Sequence, residues 1–418
     1  MLFRSRASIV RDIGGFCSAY DGAQDYDFVL RFTEIAKKII HIPKVLYHWR
    51  AIPGSTAASM DEKDYVINSA NRALLARAER VGGGGLLKTT KFKGSFDLRY
   101  NINGNPLVSI IIPIYGKCDY TLRCLHSIAI NIPACGFEII VVDDCSPDNS
   151  AEILKQIESI QLISSVENQG FIRSCNIGAK AAKGEYLHFL NNDTEVTAGW
   201  LDELVRTFHD FPGTGFVGSK LLYPDGTLQE AGGIIWQDGS AWNFGRYQDA
   251  SLPIYNYARE VDYCSGASIL VPIALFKELN GFDEYFIPAY YEDADLAVKI
   301  RQRGYRVIYQ PLSNVIHFEG ISSGTDINHG VKAYQVENAK KFFIRWQSWL
   351  KDHQVAGNNV DTAKDRMVKY RVLVLDHCTP TPNQDAGSVI VFNSLILLRE
   401  MGFQVTFIPE DNFLYMPE

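Results

Sequence analysis

Apolar runs separated by amphipathic stretches organise the middle of the chain. "LVSIIIPIY" (107–115) is apolar on both faces and bounded by Pro106 and Pro113, the pattern of a strand buried inside a parallel sheet. "YTLRCLHSIAI" predicts a helix and "FEIIVVDD" a second buried strand. Another helix is expected after "SPDNS", a short strand near "IQLISS", a helix over "FIRSCNIGAKAAKG" and a strand over "EYLHFLNND". Alternation at this spacing predicts βαβ units and a parallel sheet covered on both faces, an α/β fold. Open sheets of this kind take ligands beyond the carboxyl ends of their strands. Asp143, Asp144, Asn192 and Asp193 all fall at such ends.

Polar stretches divide the rest. "GGGG" (82–85) and "GSFDLRYNINGNP" (94–106) read as linker, and the chain turns polar again from Val355 to Tyr370. The predicted organisation is a first module over 1–80, a linker over 81–106, a body over 107–352, a linker over 353–370 and a last module over 371–418. The first module repeats part of the body. "GAQDYDFVLRF" (22–32) parallels "YYEDADLAVKI" (290–300), with Asp25 and Asp27 matching Asp293 and Asp295. Around them Gly15-Phe16 matches Gly281-Phe282, Pro43 matches Pro311, His48-Trp49 matches His317-Phe318, and Thr56 matches Thr325. Chance explains any one pair; anchors kept in order favour shared structure. The last module reads strand, loop, helix, strand, the opening of a second Rossmann-like unit.

Composition narrows the class. In 418 residues, 46% are hydrophobic and 21% charged, as in ordinary soluble globular proteins. A net charge of -7 without a long Lys/Arg run argues against a nucleic-acid partner. No apolar stretch reaches the roughly 18 residues of a membrane span, and the N-terminus has no apolar core of signal-peptide length. The eight cysteines form no C-x-x-C pair, which reads as reduced, packed thiols of a cytoplasmic protein and not as a disulfide frame or zinc site.

Candidate chemistry sits on carboxylates. Asp143 and Asp144 end a strand where a carboxylate can accept hydrogen bonds from a ribose or base edge; capping the next helix is the alternative, although Ser146 or Asp148 can do that. Asp193, after Asn191 and Asn192, can hold Mg²⁺ or a similar ion with the help of substrate phosphates, or cap the helix of "TAGWLDELV". Glu292, Asp293 and Asp295 crowd the start of a helix, where the dipole favours an ionised carboxylate usable as a base. Simple charge complementarity would need fewer acids, since crowding raises repulsion. His317 closes the strand "SNVIHF", ahead of a Gly/Ser loop at 320–326, and is either structural or a metal ligand.

In order along the chain stand "PLVSIIIPIY", "VVDDCSPDNS", "NQGFIRSCNIGAKAAKGEYLHFLNNDTEV", "YCSGASILVP", "NGFDEYFIPAYYEDADLAVKIRQRGYRVIYQP" and "VIHFEG". Over about 107–350 this series resembles the family 2 glycosyltransferases of the GT-A fold. The resemblance implies a mixed, mostly parallel sheet with a Rossmann-like nucleotide-binding half. It implies that Pro113, Ile114, Tyr115 and Asp144 line the nucleotide pocket beside Asp143, that Arg173 contacts the base or diphosphate, and that Asn192, Gly266 and Glu292 contact substrate. Asp193 takes the place of the metal-binding Asp of a D-x-D, Asp293 that of the general base, and His317 that of a histidine metal ligand in some members. Asn191 departs from the strict D-x-D and leaves a single carboxylate there. The first module resembles the acceptor-side end of a second such domain, without its nucleotide-binding half. The last resembles the start of a family 4, GT-B glycosyltransferase.

The implied reaction moves a sugar from a UDP-, dTDP- or GDP-linked donor to a glycan or lipid-linked glycan acceptor, with a divalent metal (Mn²⁺ or Mg²⁺). A single base and no enzyme nucleophile favour inversion. The implied location is cytoplasmic. The helix expected over 331–351, with Phe342, Trp346 and Trp349 at helical spacing and basic flanks, is read as core packing, with a peripheral position at the inner face of the plasma membrane as the alternative. The rival functions are an inactive transferase-fold scaffold, suggested by Asn191, and a dinucleotide-dependent oxidoreductase, disfavoured because no G-x-G-x-x-G follows the first strand. A pyrophosphorylase would want a Gly-rich phosphate loop in the same place.

Overall fold

The computed structural model describes residues 7–36, 64–82, 84–89, 96–100, 104–320, 333–368, 370–380, 386–401 and 403–410. The chain forms two compact units, Gly104–Met367 and the combination of Met1–Asn103 with Val368–Glu418. The repeat anchors at Pro43, His48, Trp49, Thr56 and Thr325, and the loop over 321–326, lie outside the described residues.

Gly104–Met367 is built on one large sheet. Its strands are β1 (Leu107–Ile114), β2 (Gly136–Asp143), β3 (Gln161–Ser164), β4 (Tyr186–Leu190), β5 (Thr194–Val196), β6 (Thr214–Leu222) and β7 (Leu228–Glu230). A separate hairpin pairs β8 (Gly233–Ile235) with β9 (Ala241–Asn243), and β10 (Arg259–Glu260), β11 (Ser268–Pro272) and β12 (Arg306–His317) return to the large sheet. The strand order is β10-β12-β6-β11-β4-β1-β2-β3, with β5 paired to β12 and β7 to β6. Strands β3, β2, β1 and β4 run parallel, as the βαβ spacing predicts. Antiparallel β11 then separates them from the parallel pair β6 and β12, so the sheet is mixed and mostly parallel, in an α/β fold.

The parallel half follows from its sequence. Val108, Ile110, Ile111 and Ile112 in β1 and Ile140, Val141 and Val142 in β2 are fully buried, so both faces of these strands are apolar. Helices α1 (Cys118–Ile130), α2 (Ser150–Leu154) and α3 (Phe171–Ala181) connect this half, and α3 lies against β1 and β2. Gly178 on α3 permits that approach, because a Cβ there would stand 2.5 Å from Ile111 Cγ2. Helix α4 (Trp200–Asp210) covers β6 and β12. Of the later helices, α5 (Ile273–Glu278) follows β11, α6 (Glu292–Gln302) precedes β12, and α7 (Tyr334–Leu350) follows it.

Helix α7 resolves the aromatic stripe in favour of packing. Phe342 is fully buried, Trp346 Nε1 donates to Asp295 Oδ1 at 2.9 Å, and Trp349 meets His353 edge-on at 4.1 Å. Arg345 is committed to Asp283 and Asp295 at 2.8 and 3.1 Å. The polar stretch 353–367, read as linker from composition, is part of this unit. His353 Nδ1 lies 2.7 Å from the Ile235 carbonyl, Arg366 pairs with Asp262 at 3.0 Å, and Arg259 donates to the Lys364 carbonyl at 3.0 Å. His353, Lys364 and Asp365 are buried here while Asn358, Asn359 and Asp361 stay exposed, a mixture that composition alone could not distinguish from solvated linker.

In the other unit, helices over Gln24–Ile35 and Asp64–Gly82 pack together. Gly85–Thr89 and Phe96–Tyr100 form an antiparallel pair within the stretch read as linker. Tyr370–Asp376 and Phe403–Pro409 pair in parallel around the helix Ala386–Glu400, the strand–helix–strand order expected from sequence.

Candidate functional site

Two carboxylate centres form at one end of the sheet. The chain leaves β4 at Leu190 into Asn191-Asn192-Asp193, and β11 pairs antiparallel with β4 so that Ser268 lies opposite Leu190. The segment entering β11, Cys264 to Ala267, therefore meets the segment leaving β4, and Asn191 N donates to the Ala267 carbonyl at 3.0 Å. Strand β5 pairs with the last residues of β12, His317 opposite Thr194, and Phe318 N donates to the Asp193 carbonyl at 3.0 Å. Sheet register thus brings together Asp193 and His317, 124 positions apart in the chain.

Asp193 Oδ1 and His317 Nε2 face each other at 3.3 Å, both residues buried. His317 Nδ1 is 2.8 Å from Gln229 Oε1, and Gln229 Nε2 reaches Glu319 Oε2 at 3.4 Å. With Gln229 Oε1 as the acceptor, the Nδ1–H tautomer turns an Nε2 lone pair toward the carboxylate, the arrangement in which an outer hydrogen bond holds a metal-binding histidine. Asn191 Nδ2 lies 3.4 Å from Nε2, and Asn191 Oδ1 is buried without a hydrogen-bond partner. Two facing acceptors beside an orphaned oxygen are what a divalent cation reconciles, so these residues fit one. Among the described residues, no three His, Cys, Asp or Glu side chains make a full protein cage. A hard ion that keeps waters and takes substrate phosphates needs no such cage. Capping does not account for Asp193, because the N-cap of α4 is Gly199.

The second centre is the start of α6. Asp293 Oδ2 accepts from Gly266 N at 2.9 Å and Oδ1 from Ala294 N at 2.7 Å. Burial raises Asp293 above the ordinary carboxylate range, and these amides pull the other way. Burial, then the neighbouring Asp293 charge, pushes Glu292 well above that range, and its Oε2 has no partner. Gly266 belongs here by geometry: a Cβ would stand 3.7 Å from Asp293 Oδ2 and 4.0 Å from Glu292 Oε1. Tyr290 and Tyr291, just ahead of the pair, both adopt left-handed φ values of 76° and 71°. Asn338, fully buried on α7, steadies them through Nδ2 contacts to the carbonyls of Phe286, Ala289 and Tyr290 at 2.6, 2.8 and 3.1 Å. Asp295 points away, into Lys299, Arg345 and Trp346.

The expected nucleotide-side residues cluster at the ends of β1 and β2. Pro113 and Ile114 are buried in β1, and Tyr115 just beyond is half-exposed. Asp143 Oδ1 accepts from Ser146 N at 3.1 Å. Asp144 N donates to the Ile114 carbonyl at 2.9 Å, while its two carboxylate oxygens accept from Gln169 N and Gly170 N, each at 2.8 Å. Asp144 thereby shapes the loop that leads into α3, and Asp148 caps α2 through Ser150 N at 3.0 Å. Arg173 is half-exposed and paired with Glu284 at 2.9 Å. Asn192 Nδ2 donates to Thr121 Oγ1 at 3.1 Å, tying the Asp193 loop to α1.

Sequence reasoning missed Glu230, Gln229 and Asn338. Glu230, at the end of β7, is fully buried; Oε1 accepts from Ser265 N at 2.9 Å and Oε2 has no partner. Burial pushes it up to about 8, with the Asp293 charge adding to the shift. Nothing in "TLQEAGG" marks these residues, because their roles come from pairings across the sheet.

Comparison with known proteins adds the family. Residues 109–268 match the model of Glycosyl transferase family 2. Over 331 residues the chain is 32% identical to Uncharacterized protein y4gI of Sinorhizobium fredii, covering 76% of this chain and 36% of that protein. It is also 32% identical over 331 residues to the O-antigen biosynthesis protein RfbC of Myxococcus xanthus, covering 77% of this chain and 26% of that protein. The chain therefore spans about a third and a quarter of the length of these relatives. A crystal structure of GalNAc-T7 with UDP, GalNAc and Mn2+ aligns with a TM-score of 0.49 at 18% identity, over 63% of this chain and 52% of that one. From the motifs at the strand ends and the match over 109–268, the chain carries a glycosyltransferase family 2 domain.

Proposed function

We propose that this domain is an inverting, metal-dependent glycosyltransferase. It moves a sugar from a UDP-, dTDP- or GDP-linked donor to a glycan or lipid-linked glycan acceptor in cell-surface polysaccharide synthesis. The observation that carries the reading is the meeting of two centres at one sheet end: the facing pair Asp193 and His317, and Asp293 held on the amides of Gly266 and Ala294. The likeness to an O-antigen biosynthesis protein supports the polysaccharide context. No helix among the described residues is long and apolar enough to cross a membrane; a cytoplasmic location, with a peripheral membrane contact to reach a lipid-linked acceptor, is part of the proposal.

In this reading Asp193 and His317 hold a divalent ion (Mn²⁺ or Mg²⁺), with Gln229 fixing the imidazole. When bound, the ion supplies Lewis-acid stabilisation of the departing diphosphate. Asp143 and Asp144, with the β1 end at Pro113 to Tyr115, border the nucleotide, and Arg173 exchanges Glu284 for the base or diphosphate. Asn192 keeps the Asp193 loop on α1. Asp293 accepts the proton of the attacking acceptor hydroxyl at Oδ2 or Oδ1, a contribution of about 10²–10⁴ in rate. Glu292 stays protonated beside it and hydrogen-bonds substrate, and Gly266 leaves room for the acceptor to approach. With one base and no side chain placed as a nucleophile, the displacement is single and the anomeric carbon inverts. The first 80 residues as the acceptor-side end of a second such domain, and 371–418 as the opening of a GT-B domain, complete the proposal.

The test is a thermal-shift screen of UDP-, dTDP- and GDP-sugars with and without Mn²⁺, followed by transfer assays of the parent and Asp293→Asn. Stabilisation that needs both metal and one nucleotide, with transfer lost in Asp293→Asn, is expected. No shift with any donor and no transfer by the parent refutes it and leaves the inactive scaffold; undiminished transfer by the variant refutes Asp293 as the base.

A further inference from the structure

Glu230 has no role in the reaction as described, yet its position is specific. Its Oε1 sits on the Ser265 amide, and the next amide, Gly266, holds Asp293 Oδ2, both at 2.9 Å. Two carboxyl groups are therefore seated on consecutive N–H groups of one turn. They differ in what else supports a charge. Asp293 has a second amide, Ala294 N, at the N-terminal end of an eleven-residue helix, whose dipole favours an anion. Glu230 is fully buried and its Oε2 has no partner. A bare, buried, ionised oxygen is among the costlier arrangements a fold can hold, and like charges on neighbouring seats discourage double ionisation.

The nearby cations, Arg246 and Arg259, offset that charge only in part, because both are engaged elsewhere. Arg246 is bonded to Glu319 at 2.7 Å, and Arg259 donates to the carbonyls of Lys364 and Ala231. Tyr263 and Cys264 on the turn and Tyr309 on β12 feel the Glu230 charge and are themselves raised by burial. Burial lifts Glu230 to about 8, in accord with a proton that resides there at neutral pH.

We propose that Glu230 is a positioning residue for Asp293: as a neutral acid it holds the Ser265 amide, and through the 265–266 turn it aims the Gly266 amide at the base. This rests on the transferase reading, and it assigns the ionised and protonated members of the group. Asp293 is the anion, and Glu230 carries the proton that lets it be one. The Oε1 of a protonated glutamate accepts from Ser265 N as a glutamine oxygen would. Glutamine therefore preserves the seat without the titration, and alanine removes the seat.

The experiment compares the parent, Glu230→Gln and Glu230→Ala with Mn²⁺ and the UDP-, dTDP- and GDP-sugars, reading nucleoside diphosphate release, together with melting temperatures from pH 6 to 9. Glu230→Ala is expected to lower kcat tenfold or more with donor KM within twofold, and Glu230→Gln to recover most of that loss. Because the folded state keeps the Glu230 proton above its unfolded range near 4.5, the parent loses stability as pH rises toward about 8. The melting temperature of Glu230→Gln should therefore gain several degrees on the parent between pH 6 and 9. Glu230→Gln as impaired as Glu230→Ala, or a melting difference flat with pH, overturns the proposal. An active parent beside an unaffected Glu230→Ala overturns this inference alone. A parent that releases nucleotide from no donor overturns the transferase reading, and the melting series then still reports the charge of Glu230.

Discussion

Replacing Asn338 by leucine tests whether the candidate base is aimed from a distance. Asn338 lies on α7, outside both carboxylate centres, and its buried Nδ2 spans the carbonyls of Phe286, Ala289 and Tyr290. Leucine keeps the branching and number of side-chain heavy atoms, with bulkier methyl groups, and removes the donors, so no cavity forms. Two N–H groups serve three acceptors, about two hydrogen bonds' worth, at roughly 0.5–1.5 kcal/mol net each. Carbonyls left without this donor add about 1–2 kcal/mol, giving a loss of about 2–5 kcal/mol. Against this stand Tyr290 and Tyr291, whose left-handed conformations cost roughly 1–2 kcal/mol each. With the asparagine gone, that strain is comparable to what holds it. The segment should relax and carry Glu292 and Asp293 away from the Gly266 amide.

The expected outcome is a urea midpoint shift equivalent to about 2–5 kcal/mol. It is accompanied by a kcat reduced at least tenfold, about 1.4 kcal/mol of transition-state stabilisation, and a donor KM within threefold. Stability lost with kcat intact would refute the claim that Asn338 positions the base. No stability change would refute the strain argument itself.

Other outcomes follow from the same geometry. Asp193→Asn and His317→Ala should abolish Mn²⁺-dependent stabilisation by a nucleotide-sugar. Gln229→Leu, which frees the imidazole, should weaken apparent Mn²⁺ affinity about 10–100-fold in the same titration. Gly218→Ala places a Cβ 2.1 Å from Cys264 Cβ, so displacement of the 264–266 turn should cost about 1–3 kcal/mol by urea unfolding. His188 is buried, lowered to about 3, and its Nε2 is 3.1 Å from Ser268 Oγ. The unfolded chain binds that proton below about 6.5 and the folded chain does not, so stability present above 6.5 is lost as pH falls. The parent's unfolding free energy should fall relative to His188→Gln by about 1.4 kcal/mol per pH unit between 6.5 and 5, and a constant difference would refute the neutral assignment.

The parallel half of the sheet was legible because its strands are apolar on both faces and its helices recur between them. Asp143, Asp144 and Asp193 could be placed at strand ends for the same reason. The antiparallel elements were harder to see: β7, β10 and β11 are short, and no local pattern states that β11 inserts between β4 and β6. The missed residues owe their roles to such long-range placements. Glu230 and Gln229 matter because β7 pairs with β6 beside β12 and β11, and Asn338 because α7 returns under the 286–291 segment. The linker reading of 353–367 failed on composition, since Arg366 and His353 are polar residues serving buried partners. The competing helix-cap explanations for Asp193 and Asp144 fall because the fold gives the capping positions to Gly199 and, around α2, to Asn149 and Asp148.

The two copies of the acidic helix start separate scaffold from chemistry. In both, the second aspartate is fully or almost fully buried and salt-bridged four residues on: Asp27 to Arg31, with Nε at 3.0 Å, and Asp295 to Lys299 at 2.8 Å. That shared pair anchors the first turn of a helix on its own packing and requires no ligand. The first aspartate differs. Asp25 is exposed and accepts from Tyr26 N at 2.9 Å, within its own turn. Asp293 accepts from its own helix and also from Gly266 across the sheet end, where Glu230 holds the adjacent amide. A helix start repeated in sequence can therefore carry an equivalent i,i+4 ion pair, to arginine in one copy and lysine in the other, while only the copy met by a second segment has a carboxylate whose charge is set from outside. Grafting cannot be judged from the D-x-D string alone: converting Asp25 to asparagine should leave sugar transfer unchanged, and a loss of transfer would show that the first copy, not the second, supplies the base.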